Sequence, residues 1–221
     1  MPFRTLLFDL DGTLTDSQPG ITSTICRVLD DLRQPHPPAE QLTWCVGPAL
    51  IDSFRTLLGD RAHLADEAMR LYERHYTDGA MFQSQLYPEV IPSLQALRQT
   101  GRRLVVVTGK PVHQATPILR HFGLLTLFER VYGPTPDDRD ENKARRLALV
   151  LADLQEAPER CVYVGDRRGD IDGAHANGIR AMAASYGYGA PQELADADAM
   201  ADSPSDWLNA LRWLEWQGGE K

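Results

Sequence analysis

Thr5-Leu6-Leu7-Phe8-Asp9-Leu10-Asp11-Gly12-Thr13 is a short apolar run that ends in two carboxylates and a glycine. Such a run, followed by turn-forming residues, predicts a buried strand. Side chains two apart on an extended chain point the same way, so Asp9 and Asp11 face one side together. Gly12 then permits a sharp turn. Asp-Gly is also an ordinary turn, so the motif by itself keeps a purely structural reading open. Two carboxylates this close repel unless a cation lies between them, and oxygen-only donors suit magnesium.

The pattern recurs downstream. Leu104-Val105-Val106-Val107 ends at Thr108-Gly109-Lys110, and Cys161-Val162-Tyr163-Val164 ends at Gly165-Asp166, with Asp170 following. Val131-Tyr132 and Arg180 to Ala184 are weaker strand candidates. Helix-spaced apolar residues lie between and after the runs: Ile91, Leu94 and Leu97; Ile118, Leu119 and Phe122; Leu147, Val150, Leu151 and Leu154; Trp207, Leu208, Leu211 and Leu214. Strands alternating with helices predict an α/β fold, a parallel sheet covered on both faces. Ligands of such sheets bind beyond the carboxyl ends of the strands, where all three strong runs end in polar residues. The Thr108 hydroxyl and the amides around Gly109 suit phosphate oxygens. Asp166 and Asp170 suit a metal, or equally an acidic helix N-terminus.

The segment from Asp16 to Ser84 reads differently. Its apolar residues are helix-spaced (Ile21, Ile25, Val28, Leu29; Leu50, Phe54, Leu57, Leu58; Leu64, Ala68, Leu71, Tyr72), and it contains no convincing strand. The turn-rich stretch Gln34 to Pro38 separates its first helix from the rest. This predicts a helical insertion at residues 16–84 within a core made of 1–15 and 85–221.

Composition narrows the function classes. With 221 residues, 43% hydrophobic and 24% charged, the chain is ordinary for a globular protein. A formal net charge of −8 argues against nucleic acid or an anionic membrane as the main partner. Cys26, Cys45 and Cys161 are odd in number and lack metal-ligand spacing, which predicts reduced thiols and a cytoplasmic setting. Met1-Pro2-Phe3-Arg4 does not read as a signal peptide. Lysine occurs only at Lys110, Lys143 and Lys221, every other Lys/Arg position being arginine.

Taken in order, Phe8-Asp9-Leu10-Asp11-Gly12-Thr13-Leu14, Val107-Thr108-Gly109-Lys110-Pro111, Lys143 and Val164-Gly165-Asp166-Arg167-Arg168-Gly169-Asp170-Ile171 resemble the haloacid dehalogenase-like hydrolase superfamily, within it the phosphoglycolate phosphatase group. Val46-Gly47-Pro48-Ala49-Leu50 and Tyr87-Pro88 resemble that group as well. The resemblance implies a Rossmann-like parallel sheet core with an inserted all-helical cap, and a phosphatase acting through an aspartyl-phosphate. It implies Asp9 as nucleophile, Asp11 as general acid and base, Thr108, Gly109 and Lys110 as phosphate or substrate ligands, and Lys143 as the screening cation. It implies Mg2+ held by Asp9, the Asp11 carbonyl, Asp166 and Asp170, the last directly or through water. Gly47 and Pro48 are candidate substrate contacts of the cap, because glycine and proline fix the shape of a loop that opens an amphipathic helix. The expected partner is a small phosphorylated metabolite, with no nucleic acid and no membrane, for a monomer or homodimer.

Within that resemblance, dehalogenases lack the second aspartate, so Asp11 favours phosphate chemistry. Phosphonate cleavage needs a cap lysine, and residues 16–84 contain none. A 5'-nucleotidase, a pyrophosphatase, a sugar-phosphate mutase and an inactive phosphate-binding relative are the alternatives. A signalling receiver domain also carries an aspartate, a hydroxyl residue and a lysine at strand ends, but is much shorter and lacks the helical insertion.

Overall fold

The computed structural model describes residues 3–135 and 142–218. Its strands are β1 (Thr5–Phe8), β2 (Thr15–Asp16), β3 (Gln85–Leu86), β4 (Arg103–Val107), β5 (Arg130–Tyr132), β6 (Cys161–Gly165), β7 (Arg180–Ala184) and β8 (Ala199–Ala201). The helices are α1 (Gln18–Asp31), α2 (Leu50–Leu58), α3 (Ala65–Thr77), α4 (Val90–Gln99), α5 (Val112–His121), α6 (Lys143–Leu154), α7 (Arg168–His175), α8 (Pro191–Leu194) and α9 (Trp207–Gly218). The chain divides into two compact units, Met1–Thr15 with Leu86–Lys221, and Asp16–Gln85.

The first unit is built on a six-stranded parallel sheet in the order β5-β4-β1-β6-β7-β8. The apolar runs take its centre because a parallel sheet is covered on both faces, and only near-continuous apolar strands satisfy that. Alternation along β1 divides its side chains between the two layers. Leu7 joins Val105, Val107, Leu147, Val150, Leu151 and Ile171 on the face covered by α6 and α7. Phe8 packs against Trp207 of α9 and against Phe128, with ring centroids 5.1 Å and 6.0 Å away. Full burial of each such side chain contributes roughly 1.5–3 kcal/mol.

Register decides what the strand ends share. Phe8 lies level with both Val106 and Val164. Asp9 therefore leaves the sheet beside Val107 and Gly165, and Thr108 and Asp166 follow one residue later.

Two details differ from the sequence expectation. Strand β8 was not predicted: Ala-Met-Ala is three residues long with no β-branched member, so it carries no strand signal. Val90, rather than Ile91, takes the inward place on α4 with Leu94 and Leu97, leaving Ile91 exposed. The stripe then runs i, i+4, i+7. The preceding Glu89 is left-handed (φ +66°), an uncommon conformation for a residue with a Cβ.

The second unit is helical. α1 buries Ile21, Ile25, Val28 and Leu29, and ends before the turn-rich stretch from Gln34. Phe54 of α2 meets Tyr72 of α3 edge-on, and Tyr72 stacks on Tyr76. The nearly buried His75 pairs with Asp31 at 2.6 Å, tying α3 to α1. Among the described residues no helix is long and apolar enough to cross a membrane.

Candidate active site

The turn after β1 is tight. Leu14 and Thr15 both donate backbone N–H groups to the Leu10 carbonyl, at 2.9 and 3.0 Å, and Gly12 donates to the Thr15 carbonyl at 2.8 Å. Gly12 sits at φ +79°, and a Cβ there would lie 2.1 Å from Asp166 Oδ2. Gly12 thus meets both a conformational and a steric demand. Gly12→Ala is expected to destabilise the fold by about 1–2 kcal/mol from the left-handed backbone alone, and to displace Asp166. Thermal denaturation and a metal titration check it; a variant unchanged in both would contradict this account.

Asp9 is nearly buried. Its backbone N–H donates to Val164 O at 2.9 Å, and its Oδ1 accepts from Leu10 N at 2.8 Å. Asp11 points to a different partner, with Lys110 Nζ 3.0 Å from its Oδ2. Asp11 Oδ1 is buried with no hydrogen-bond partner among the described residues. Buried polar atoms rarely stay unmatched, so an orphaned carboxylate oxygen here marks a place for a proton or a ligand.

At the end of β4, Thr108 is held by its N–H to the Tyr132 carbonyl at 2.9 Å, and its Oγ1 accepts from Lys110 N at 3.1 Å. Gly109 is exposed, and among the described residues a Cβ there would meet nothing within 4 Å. The opening beside the Gly109 amide suits a small anion.

Lys143 is the first residue of α6. The Asn142 side chain caps that helix, accepting from Ala144 N at 2.9 Å and Arg145 N at 3.3 Å. Alanine at 144 supplies an N–H that proline, common there in relatives of the group resembled, lacks. The acidic run Asp137, Asp138, Asp140 and Glu141 ahead of it lies outside the described residues. Lys143 Nζ reaches Asp170 Oδ1 at 2.8 Å, Asp9 Oδ2 at 3.2 Å and the Tyr163 hydroxyl at 2.7 Å.

Asp166 and Asp170 follow β6. Asp170 serves two purposes: Oδ2 accepts from Asp166 N at 3.1 Å and Arg167 N at 3.0 Å, capping α7, while Oδ1 faces Lys143. The acidic-helix reading therefore holds for Oδ2, while Oδ1 is turned toward the lysine. Asp166 is fully buried, with Oδ2 accepting from Tyr188 N at 2.8 Å and Oδ1 from Thr13 Oγ1 at 3.3 Å.

Asp9, Asp166 and Asp170 offer ligand oxygens that all lie within 4.8 Å of one another. Burial, then the charges of Asp170 and Asp9, push the Asp166 carboxyl well above the usual carboxylate range. Burial also raises Asp170; Lys143 pulls the other way and Asp9 adds to the rise. Burial alone would lower Lys143, but Asp170 and Asp9 together hold its ammonium above the ordinary lysine value. Among the described residues three buried carboxylates crowd beside the Lys143 ammonium, with the Arg167 guanidinium also acting on Asp166, and their negative charges repel. An all-oxygen donor set with that charge fits a hard divalent cation.

The first unit thus brings together Asp9, Asp11, Thr108, Gly109, Lys110, Lys143, Asp166 and Asp170. The metal-type triad among the described residues is Asp9, Asp166 and Asp170, without the Asp11 carboxylate. Gly47 (φ +102°) and Pro48 are exposed residues of the helical unit, ahead of α2. Sequence reading overlooked Thr13, Tyr188 and Tyr163. A Cβ on Gly187 would lie 2.3 Å from Asp166 Cβ, so Gly187-Tyr188-Gly189 was the available signal for a close approach. For Tyr163 the signal was a lone hydroxyl in an apolar strand.

An acidic, lysine-containing cluster thus lies at the carboxyl ends of central parallel strands in an α/β fold. The chain belongs to the haloacid dehalogenase-like hydrolases, whose family profile matches residues 3–178. It is 40% identical over 185 residues to tyrosine-protein kinase PtkA of Mycobacterium tuberculosis, covering 83% of this chain and 62% of that one. The chain thus matches less than two thirds of the length of that relative. It is 32% identical to a 5'-nucleotidase of Pseudomonas aeruginosa over 87% of each chain. It is equally 32% identical to the phosphoglycolate phosphatase of Salmonella paratyphi A, over 94% of this chain and 92% of the relative. The resemblance read from the motifs is therefore correct at the level of family.

Proposed function

We propose that the enzyme hydrolyses small phosphate monoesters in a Mg2+-dependent reaction, with Asp9 as nucleophile. The observation that carries this reading is the grouping of Asp9, Asp166 and Asp170 around one point, with Lys143 against Asp9. Asp9, Asp166 and Asp170, with the Asp11 carbonyl, would hold the ion, which supplies positive charge against the phosphoryl group. Lys143 screens Asp9, because a carboxylate approaching a phosphate dianion is otherwise anion meeting anion. Thr108 and the Gly109 amide hold phosphate oxygens. Asp9 displaces the alcohol, forming an aspartyl-phosphate, while Asp11 gives the leaving oxygen its proton. Asp11 then takes a proton from water, which attacks phosphorus and frees Asp9. Covalent catalysis splits one difficult displacement into two.

We read the helical unit as a cap, with Gly47 and Pro48 as its candidate substrate contacts, and the protein as cytoplasmic. The two phosphatase relatives of equal identity carry different substrate names, so the ester is chosen by experiment. A Mg2+-supplemented screen with phosphoglycolate, nucleoside monophosphates and pyrophosphate, ranked by kcat/KM, tests the reading. Release of no inorganic phosphate from any ester would sink it. The relative named as a tyrosine-protein kinase favours a second reading, in which Asp9 passes its phosphoryl group to an acceptor hydroxyl instead of water. Phosphate appearing on an acceptor rather than free in solution would select it.

Asp166→Ala is expected to raise the Mg2+ concentration needed for half-maximal turnover at least tenfold, with partial rescue at high metal. An unchanged magnesium dependence would place the ion elsewhere. Removing the metal from the unmodified enzyme with a chelator should stop turnover, and added Mg2+ should restore it.

A further inference from the structure

The third partner of Lys143 is a tyrosine that directly precedes the Val164-Gly165-Asp166 stretch. Tyr163 is fully buried in the middle of β6, and its hydroxyl donates to the Val107 carbonyl at 2.7 Å. A phenol has one proton, so that bond commits it, and the lone pairs are left to accept. The 3.4 Å approach to Asp170 Oδ1 is the weaker competitor for the same proton. Burial, then the charges of Asp9 and Asp170, raise the Tyr163 hydroxyl well above its ordinary value, so it stays a neutral phenol.

Lys143 Nζ lies 2.7 Å from that oxygen. An ammonium has three protons, and three acceptors surround this one: Tyr163 Oη, Asp170 Oδ1 at 2.8 Å and Asp9 Oδ2 at 3.2 Å. Two acceptors are charged and one is neutral. The Asp9 contact is the longest, so it has the most to lose when the ammonium moves.

We propose that Tyr163 is a positioning residue that sets the orientation of the Lys143 ammonium and holds one N–H on Asp9. Removing the neutral acceptor lets the ammonium swing toward Asp170, its closer carboxylate, and weakens the screening of the nucleophile. Because Val107 directly precedes Thr108, the same hydroxyl ties the lysine to the strand end that presents the expected phosphate ligands. The inference rests on the reading of Asp9 and Lys143 given above.

Tyr163→Phe keeps the ring, which lies 5.2 Å from Nζ at its centroid, and removes only the hydroxyl. Its kcat is expected to fall about ten- to hundredfold, as losing a hydrogen bond to a charged group predicts, with KM changed less than twofold. In a Lys143→Met background the same change should alter kcat less than twofold, because the group it acts through is gone. A merely structural tyrosine would cost the same factor in both backgrounds. A second readout needs no turnover. With three lysines in the chain, the ¹⁵N-lysine spectrum of the metal-free protein should show two slowly exchanging ammoniums, Lys110 beside Asp11 and Lys143. The Lys143 signal, identified by its loss in Lys143→Met, should lose its protection in Tyr163→Phe while that of Lys110 stays. Additive losses in kcat, or a Lys143 ammonium signal unaltered by Tyr163→Phe, overturn the proposal while leaving the phosphatase reading in place. Undiminished turnover of Lys143→Met overturns the reading of the lysine and the proposal with it.

Discussion

Asp9→Asn is expected to abolish turnover, by roughly 10⁴–10⁶-fold, the scale on which losing a nucleophile is felt. An amide cannot displace at phosphorus. The fold should survive, because the asparagine carbonyl can still accept from Leu10 N, the bond Asp9 Oδ1 makes at 2.8 Å. The substitution also removes one negative charge from a cluster in which Asp9 pushes both Asp166 and Asp170 upward. Thermal stability measured without metal should therefore hold or rise, by less than about 1 kcal/mol. Activity and melting temperature then move independently. A purified, folded variant with substantial phosphatase activity would remove Asp9 from the nucleophile's role.

The second large effect is expected at Asp11, and it should differ in kind. Asp11→Asn is isosteric and can still accept from Lys110, which lies 3.0 Å from Asp11 Oδ2. What it loses is the proton transfer, at the oxygen that is buried without a partner among the described residues. General acid–base help is typically worth on the order of 10²–10⁴-fold. With a good leaving group such as p-nitrophenol the first displacement needs little protonation, while breakdown of the aspartyl-phosphate still needs a base. Phosphoenzyme should therefore accumulate, and acid quench in the millisecond range should trap it on the protein. Loss of turnover with no trapped phosphate counts against this role for Asp11.

The pairing of Asp11 with Lys110 shows where reading by motif stops. Lys110 follows Thr108 and Gly109, which placed it with the phosphate ligands, yet its ammonium lies against Asp11, nearly a hundred positions earlier in the sequence. Asp170 shows the same limit. Its spacing from Asp166 fits a metal ligand and a helix cap equally well; in the structure Oδ2 caps the helix and Oδ1 meets the Lys143 ammonium. Tyr163 carried only a faint signal, a lone hydroxyl in an apolar strand, and nothing in the sequence aims that hydroxyl at Lys143.

The sequence by itself determined the strands that matter, the parallel α/β class and the helical insertion. It also picked out the polar residues at the strand ends. Each of these is local: an apolar run, a helical stripe or a turn residue is written in consecutive positions. What only the tertiary structure decided was which oxygen meets which cation. Phe8 aligns with Val106 and Val164 across the sheet, and that register sets Asp9 beside the ends of strands roughly a hundred and a hundred and fifty residues away. Whether Lys143 faces Asp9, or Tyr163 reaches Val107, depends on interstrand register and helix placement at distances of about 3 Å. No local pattern encodes separations that fine, because they arise from how the whole core packs.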